Sequence, residues 1–181
     1  MIIAYKGFEQ GLICRKYQFH MGLNVTDKAN CAQNGFHCAE NPLDCLSYYS
    51  NMEQSVYYLV VAGGDVDEDN CDSKISCTEL TIVKQLSKSD FFLHALAYMV
   101  DHPGRQWNHH VHSNFAETNC GFAVVRGIDP VAKGGLGDIL AFAKESADGK
   151  NIIQVALAQV DGKKVMPDVW YSVDLKRREA A

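Results

Sequence analysis

Ser55-Val56-Tyr57-Tyr58-Leu59-Val60-Val61-Ala62 constrains this chain more than any other stretch. Valine and tyrosine favour the extended pleat, because a branched or ring-bearing Cβ loses rotamer freedom on a helix and packs well on a sheet. The run is apolar at odd and even positions towards its end, so both of its faces need cover. It reads as a central strand, and Gly63-Gly64 ends it. A central strand requires neighbours, and the chain supplies several. Ile2 to Lys6 reads as a first strand ended by Gly7. Leu12 to Arg15 and Tyr17 to Phe19 form a second extended segment, and Lys74 to Val83 alternates at period two. In that last run Ile75 and Cys77 are expected on one side, Leu80 and Ile82 on the other.

Two stretches read as helical. Asn41 is placed to cap a helix whose first position is Pro42, where the missing N–H costs nothing. Leu43, Cys45 and Leu46 then face inward, and Tyr48 and Tyr49 close the turn. The stronger helix starts near Ser89, with Asp90 in its first turn and Phe91, Phe92, Ala95, Leu96 and Met99 as its apolar stripe. Pro103-Gly104 stops it. Beyond lie strand candidates at 121–125, 139–143, 152–160 and 169–173, with Asp148-Gly149 and Asp161-Gly162 as turns. The expected fold is α+β. A mixed lobe of residues 1–102, with two short-to-medium helices, packs on a mainly antiparallel β-rich lobe of residues 103–181.

The charge balance narrows function. A formal net charge of −5 over 181 residues argues against bulk nucleic-acid binding, which needs a basic face. No apolar run approaches the ~20 residues that cross a bilayer, and Met1-Ile2-Ile3-Ala4-Tyr5 enters a strand directly. A cytoplasmic protein is expected, its 7 cysteines reduced. Cys31, Cys38 and Cys45 recur every seven residues, but no Cys-x-x-Cys occurs. Cys38, beside His37 and before the helix, comes nearest to a reactive thiol, against the favoured alternative that it is buried. Gly63-Gly64 and Gly134-Gly135-Leu136-Gly137 do not lead into Lys-Ser/Thr and a helix, so no phosphate loop and no cofactor is indicated. β-rich ends with little helix associate, which points to a homo-oligomer.

The candidate site lies where strand meets helix, at Asn34-Gly35-Phe36-His37-Cys38-Ala39-Glu40-Asn41. A helix start attracts anions. Tyr5, Lys6, Arg15, Tyr17, His37, Glu40, Asn41 and Tyr48 are the candidate ligand-binding residues. Arg15 can grip a phosphate bidentately, and a tyrosine ring can stack on a base. The structural alternative stays open for each: Arg15 pairing with an acid, Asn41 only capping, the tyrosines in the core. His110 and His112, alternate residues of a possible strand, are the candidate metal ligands, against the alternative of a surface loop.

Tyr5-Lys6-Gly7-Phe8, Cys14 to Phe19, and Asn34 to Asp44 resemble the N-terminal module of an uncharacterised family found in phages, prophages and gut bacteria. The similarity continues through Lys74 to Leu80, Lys133 to Gly137, and Val160 to Tyr171, like the family's closing hairpin. Longer relatives carry solenoid-like repeats in the middle, of which Asn114 to Gly127 resembles a remnant. The resemblance implies a phage setting and brings no catalytic residues. It points to a non-enzymatic binder that antagonises host defence, by sequestering a nucleotide-like signal or blocking a host defence protein. A phage-particle accessory role is an alternative. The Tyr-Lys-Gly strand and the Gly-Phe strand leading to a helix are also similar to ADP-ribosyltransferase-like folds. That similarity implies a nucleotide-using enzyme with Glu79 as its catalytic residue, although no Ser-Thr-Ser and no Glu-x-Glu are present.

Overall fold

In the computed structural model, residues 1–31, 33–68 and 72–179 are described. The chain forms two compact units, Met1–Ser87 and Lys88–Ala181, each with its own sheet and core.

The first unit comprises β1 (Ile2–Glu9), β2 (Ile13–Cys14), β3 (Tyr17–Gln18), β4 (Gly22–Val25), β5 (Phe36–Ala39), a 3₁₀ helix (Pro42–Ser47), β6 (Ser55–Glu68) and β7 (Lys74–Leu86). All strand pairs are antiparallel, and the pairing closes on itself. β1 pairs with β6 from Ile2↔Ala62 to Glu9↔Ser55, and β6 pairs with β7. The start of β7 pairs with β5 at Phe36↔Cys77 through Ala39↔Lys74, and β5 returns to β1 at Tyr5↔Ala39. That last contact is a single position, beyond which β1 and β5 part. The hairpin β2–β3 hangs from the end of β1 at Glu9↔Ile13.

Alternation decides what the closed sheet encloses. Ala4 and Phe8 of β1 point inward with Tyr58, Val60 and Ala62 of β6, and with Phe36 and Cys38 of β5. Phe8 meets Phe19 and Tyr58 edge to face at 5.2 and 5.6 Å. Burying a ring such as Phe8 contributes roughly 2–3 kcal/mol. Ile75 and Cys77 share this core with Leu80 and Ile82 instead of facing away from them. A register shift between Gly63 and Val66 falls between the two halves of β7 and accounts for the change of face. Gly64 sits there at φ +67°, where a Cβ would stand 2.1 Å from Thr78 Oγ1.

The second unit comprises α1 (Lys88–Asp101), β8 (Val111–Glu117), β9 (Phe122–Lys133), β10 (Ile139–Glu145), β11 (Ile152–Gln159), β12 (Trp170–Ser172) and β13 (Arg177–Arg178). Phe91, Phe92, Ala95, Leu96 and Met99 of α1 are all buried, the stripe the sequence marks. The sheet runs β11-β10-β9-β12-β13, with β8 also on β9. Here β8, β9 and β10 are parallel, with Val111 opposite Val124, Phe115 opposite Val131 and Phe122 opposite Ile139. Parallel neighbours ordinarily need a crossover of about a dozen residues. These strands are separated by short bends, so the backbone winds in stacked coils. Ala116, Ala132 and Tyr171 face Ala123, Val125, Leu140 and Phe142 in one core.

Three corrections follow. The fold is mainly β, not α+β, because α1 is the only α-helix among the described residues. The helix expected after Pro42 is a six-residue 3₁₀ helix, too short to propagate an α-helix. The sheet of the second unit is mixed, not mainly antiparallel. Among the described residues no helix is long and apolar enough to cross a membrane.

Candidate functional site

A cleft of about 800 Å³ opens in the first unit beside the line where β1 and β5 part. Tyr5, Lys6, Arg15, Tyr17, His37 and Tyr48 line it, six of the eight residues singled out from the sequence. Glu40 and Asn41 do not. Asn41 Oδ1 accepts the Leu43 N–H at 3.1 Å, and its own N–H donates to Ser73 Oγ at 2.7 Å. The Glu40 N–H donates to the Ser73 carbonyl. The helix start is therefore no anion site. Pro42 has no N–H, Leu43 and Asp44 donate to Asn41, and Asp44 brings a carboxylate of its own, held by Ser73 N–H and Oγ–H at 3.1 and 2.6 Å.

The unusual group is Lys6. It takes the inward alternation of Ala4 and Phe8, so its ammonium enters the core and the residue keeps only 5% of its surface. It donates to the His37 carbonyl at 2.6 Å and approaches Cys14 Sγ at 3.7 Å. It lies over the Phe8 and Phe19 rings at 5.3 Å each. The first bond spans the gap where β1 and β5 no longer pair. Among the described residues no carboxylate lies within ion-pair distance of it. Burying a charge is costly unless it is paired, and ring faces plus one carbonyl compensate only in part.

The hairpin β2–β3 forms one wall. Its two-residue loop is Arg15-Lys16, at φ +47° and +68°. Both residues occupy the left-handed region that such a turn demands and that Asn-Gly fills best. Side chains there cost of order 1 kcal/mol each. Among the described residues the Arg15 guanidinium has no hydrogen-bond or ion-pair partner. Tyr17 anchors the returning strand against Phe19 and Phe36, with ring centroids at 4.6 and 5.3 Å. On another wall Lys74 donates to the Tyr48 hydroxyl at 3.1 Å and lies over that ring. Tyr48 remains 55% exposed, so part of its surface is open to a ligand. Tyr49 packs its ring onto Gly7, where a Cβ would stand 2.6 Å away. Burial and a bond with Cys14 push the Tyr49 hydroxyl well above its usual range.

Two thiols of the cleft lining, Cys38 and Cys45, are held protonated. Burial pushes Cys45 up to about 12. The Cys38–Cys77 hydrogen bond, and then burial, raise Cys38, which is buried and not a reactive thiolate. Glu79 lies elsewhere: it is exposed on β7, opposite Val25 and Gly63, and does not line the cleft. His110 precedes β8, with its ring 4.0 Å from that of His109 and against Phe122, while His112 is exposed on β8. Among the described residues no group of three or more His, Cys, Asp or Glu is arranged to hold a metal.

Cys14, Tyr49 and Lys74 belong to the cleft and were not singled out. No local signal marks Lys74, which arrives through its pairing with Ala39. Lys6, by contrast, is legible as the polar member of the alternation Ala4-x-Lys6-x-Phe8.

The chain belongs to the family described as a domain of unknown function (DUF7666), which matches residues 2–94. That span covers every strand of the first unit and therefore the cleft. No curated protein and no solved structure matches the chain.

Proposed function

We propose that the protein is a non-enzymatic binder that captures a small, nucleotide-like anion in the cleft of its first unit. The observation that carries this reading is Lys6, a buried cation on a cleft wall with no carboxylate partner among the described residues. An anion entering the cleft supplies the missing counter-charge in a low-dielectric setting, where one ionic hydrogen bond counts for more than in water. Arg15 and Lys74 bring the cleft to three cations against Glu9 and Asp44, and Ser73 already occupies Asp44. The exposed part of Tyr48 offers a ring face to a base. At about 800 Å³ the cleft lies in the upper part of the range for small-molecule sites. Binding rather than turnover fits a Cys38 and a Cys45 that stay protonated and a Glu79 outside the cleft. The phage resemblance suggests a setting in which capture of a nucleotide signal blunts host defence.

Mass spectrometry of small molecules released on denaturation, after incubation with extract of phage-infected bacteria, tests the reading. An intact nucleotide in stoichiometric amount is expected from the native protein, and none from Lys6→Met. Release of free nicotinamide, or equal recovery from both proteins, overturns it.

A further inference from the structure

We infer that Arg15 is the specificity-determining contact of the cleft, selecting ligands that carry a second anionic group beyond the one seated at Lys6, with a nucleoside diphosphate as the simplest such ligand. This inference rests on the reading of the cleft as an anion site. Four observations lead to it. Arg15 lines the same cleft as Lys6, and among the described residues it has no polar partner. A guanidinium presents five donors in a planar fork matched to phosphate, and one left uncommitted beside a cleft is available to a ligand.

The turn that carries it is built against local preference. Arg15 and Lys16 both stand at positive φ in a two-residue hairpin loop. Asn-Gly would relieve that strain, so the chain holds an arginine where folding alone favours a smaller residue.

The hairpin is also fixed at both feet. Before the turn, Cys14 Sγ lies 3.7 Å from Lys6 Nζ. After it, Tyr17 is seated on Phe19 and Phe36. The outer cation is thus tied to the wall that holds the inner one. The two differ in solvation. Lys6 is buried and Arg15 is exposed, so the inner group binds dry and the outer one at the rim. Such a pair reads the number of phosphate groups: a single phosphate satisfies Lys6 alone, and a second engages Arg15.

Titration calorimetry with ADP and AMP tests this on native protein, Lys6→Met, and the double variant Arg15→Asn with Lys16→Gly. The double variant installs the turn pair that the backbone favours, so its melting temperature should hold or rise by about 2 °C. Native protein should bind ADP about tenfold more tightly than AMP, a difference of about 1.4 kcal/mol. The double variant should lose that tenfold for ADP and bind AMP as native protein does. Unchanged ADP affinity in a folded double variant overturns the role of Arg15, while loss of both ligands in Lys6→Met leaves the anion cleft standing. An equal loss of ADP and AMP in the double variant overturns the assignment of Arg15 to a second group. Native affinity of Lys6→Met for both ligands overturns the cleft reading itself. If native protein binds neither ligand at millimolar concentration, the nucleoside-phosphate assignment falls, and the extract capture decides whether the cleft reading falls with it.

Discussion

Each unit of this protein buries one strongly basic side chain, and the two are treated in opposite ways. In the second unit Arg126 of β9 is 3% exposed and paired with a carboxylate. Its Nε donates to Glu145 Oε1 at 2.7 Å, a terminal nitrogen donates to the Pro103 carbonyl at 2.6 Å, and its guanidinium stacks over Trp107 at 4.8 Å. It fastens the segment after α1 to the sheet. In the first unit Lys6 is as deeply buried, yet it has a carbonyl, a thiol and two rings in place of a carboxylate. A buried cation paired with a carboxylate and a carbonyl is architecture. One with no described carboxylate beside it, on the wall of a cleft, is where we propose that a ligand binds.

The largest effect expected from breaking this contrast is in the second unit. Arg126→Met leaves Glu145, whose side chain is 13% exposed, without its partner. Orphaning one member of a buried pair costs about 3–5 kcal/mol. A urea titration should show that loss, and a change under 1 kcal/mol would mean that the pair is not structural.

Lys6→Met should behave differently. It removes the Lys6 donor from the His37 carbonyl, at a cost of about 1–3 kcal/mol, but also removes a buried charge that no carboxylate among the described residues balances. The same titration should move by no more than about 2 kcal/mol in either direction, while ligand capture is lost. A loss as large as that of Arg126→Met would make Lys6 a structural residue after all.

A smaller effect separates the units by pH. Six of the seven cysteines lie in the first unit, and Cys120 of the second is exposed. Cys45, at about 12, is raised by burial, as are the hydroxyls of Tyr49 and Tyr57, while the bond between Cys38 and Cys77 raises the first thiol and lowers the second. A raised pKa means that the folded state holds the proton more tightly than the unfolded chain. The stability this contributes is complete below the ordinary thiol range and is lost as pH climbs towards about 12 for Cys45. Hydrogen exchange between pH 8 and 10 should show β1, β5 and the 3₁₀ helix weakening before β9 and β10. The opposite order would contradict the assignment.

The smallest effect is on the acid side of the second unit. Asp161 Oδ1 accepts the N–H groups of Lys163, Lys164 and Val165 at 2.8, 2.8 and 3.0 Å, and these bonds hold its carboxyl below the usual range. A lowered pKa contributes stability above the ordinary carboxylate range and loses it as pH falls through the folded value. Asp161→Asn should melt slightly lower than native protein at pH 6, with the gap closing towards pH 2. A constant gap would exclude the ionic origin.

Much of the chain was legible locally. The β6 run forms the strand its residue types require, α1 buries the stripe that its spacing marks, and Asn41 caps the turn that Pro42 opens. Six of the eight candidate site residues surround one cleft, since Tyr5, Lys6, Arg15 and Tyr17 share β1 and the hairpin after it, and His37 and Tyr48 share the next junction. Glu40 and Asn41 fall outside it, and a helix start looks alike in sequence whether it serves a ligand or caps itself. The 3₁₀ geometry of Pro42–Ser47 was also hidden, because six residues between a cap and the next loop suit either helix type.

The sequence alone determined which segments are extended, where the one long helix runs, and that a lysine shares a strand face with Ala4 and Phe8. Those properties depend on neighbours within a few residues. Only the tertiary structure decided that the first sheet closes through one contact between β1 and β5 and opens beside it, that both halves of β7 face one core, and that the second unit stacks parallel coils. Each of these depends on register between strands far apart in sequence. The same dependence separates Arg126 from Lys6: whether a buried charge meets a carboxylate is settled by which distant strand arrives beside it.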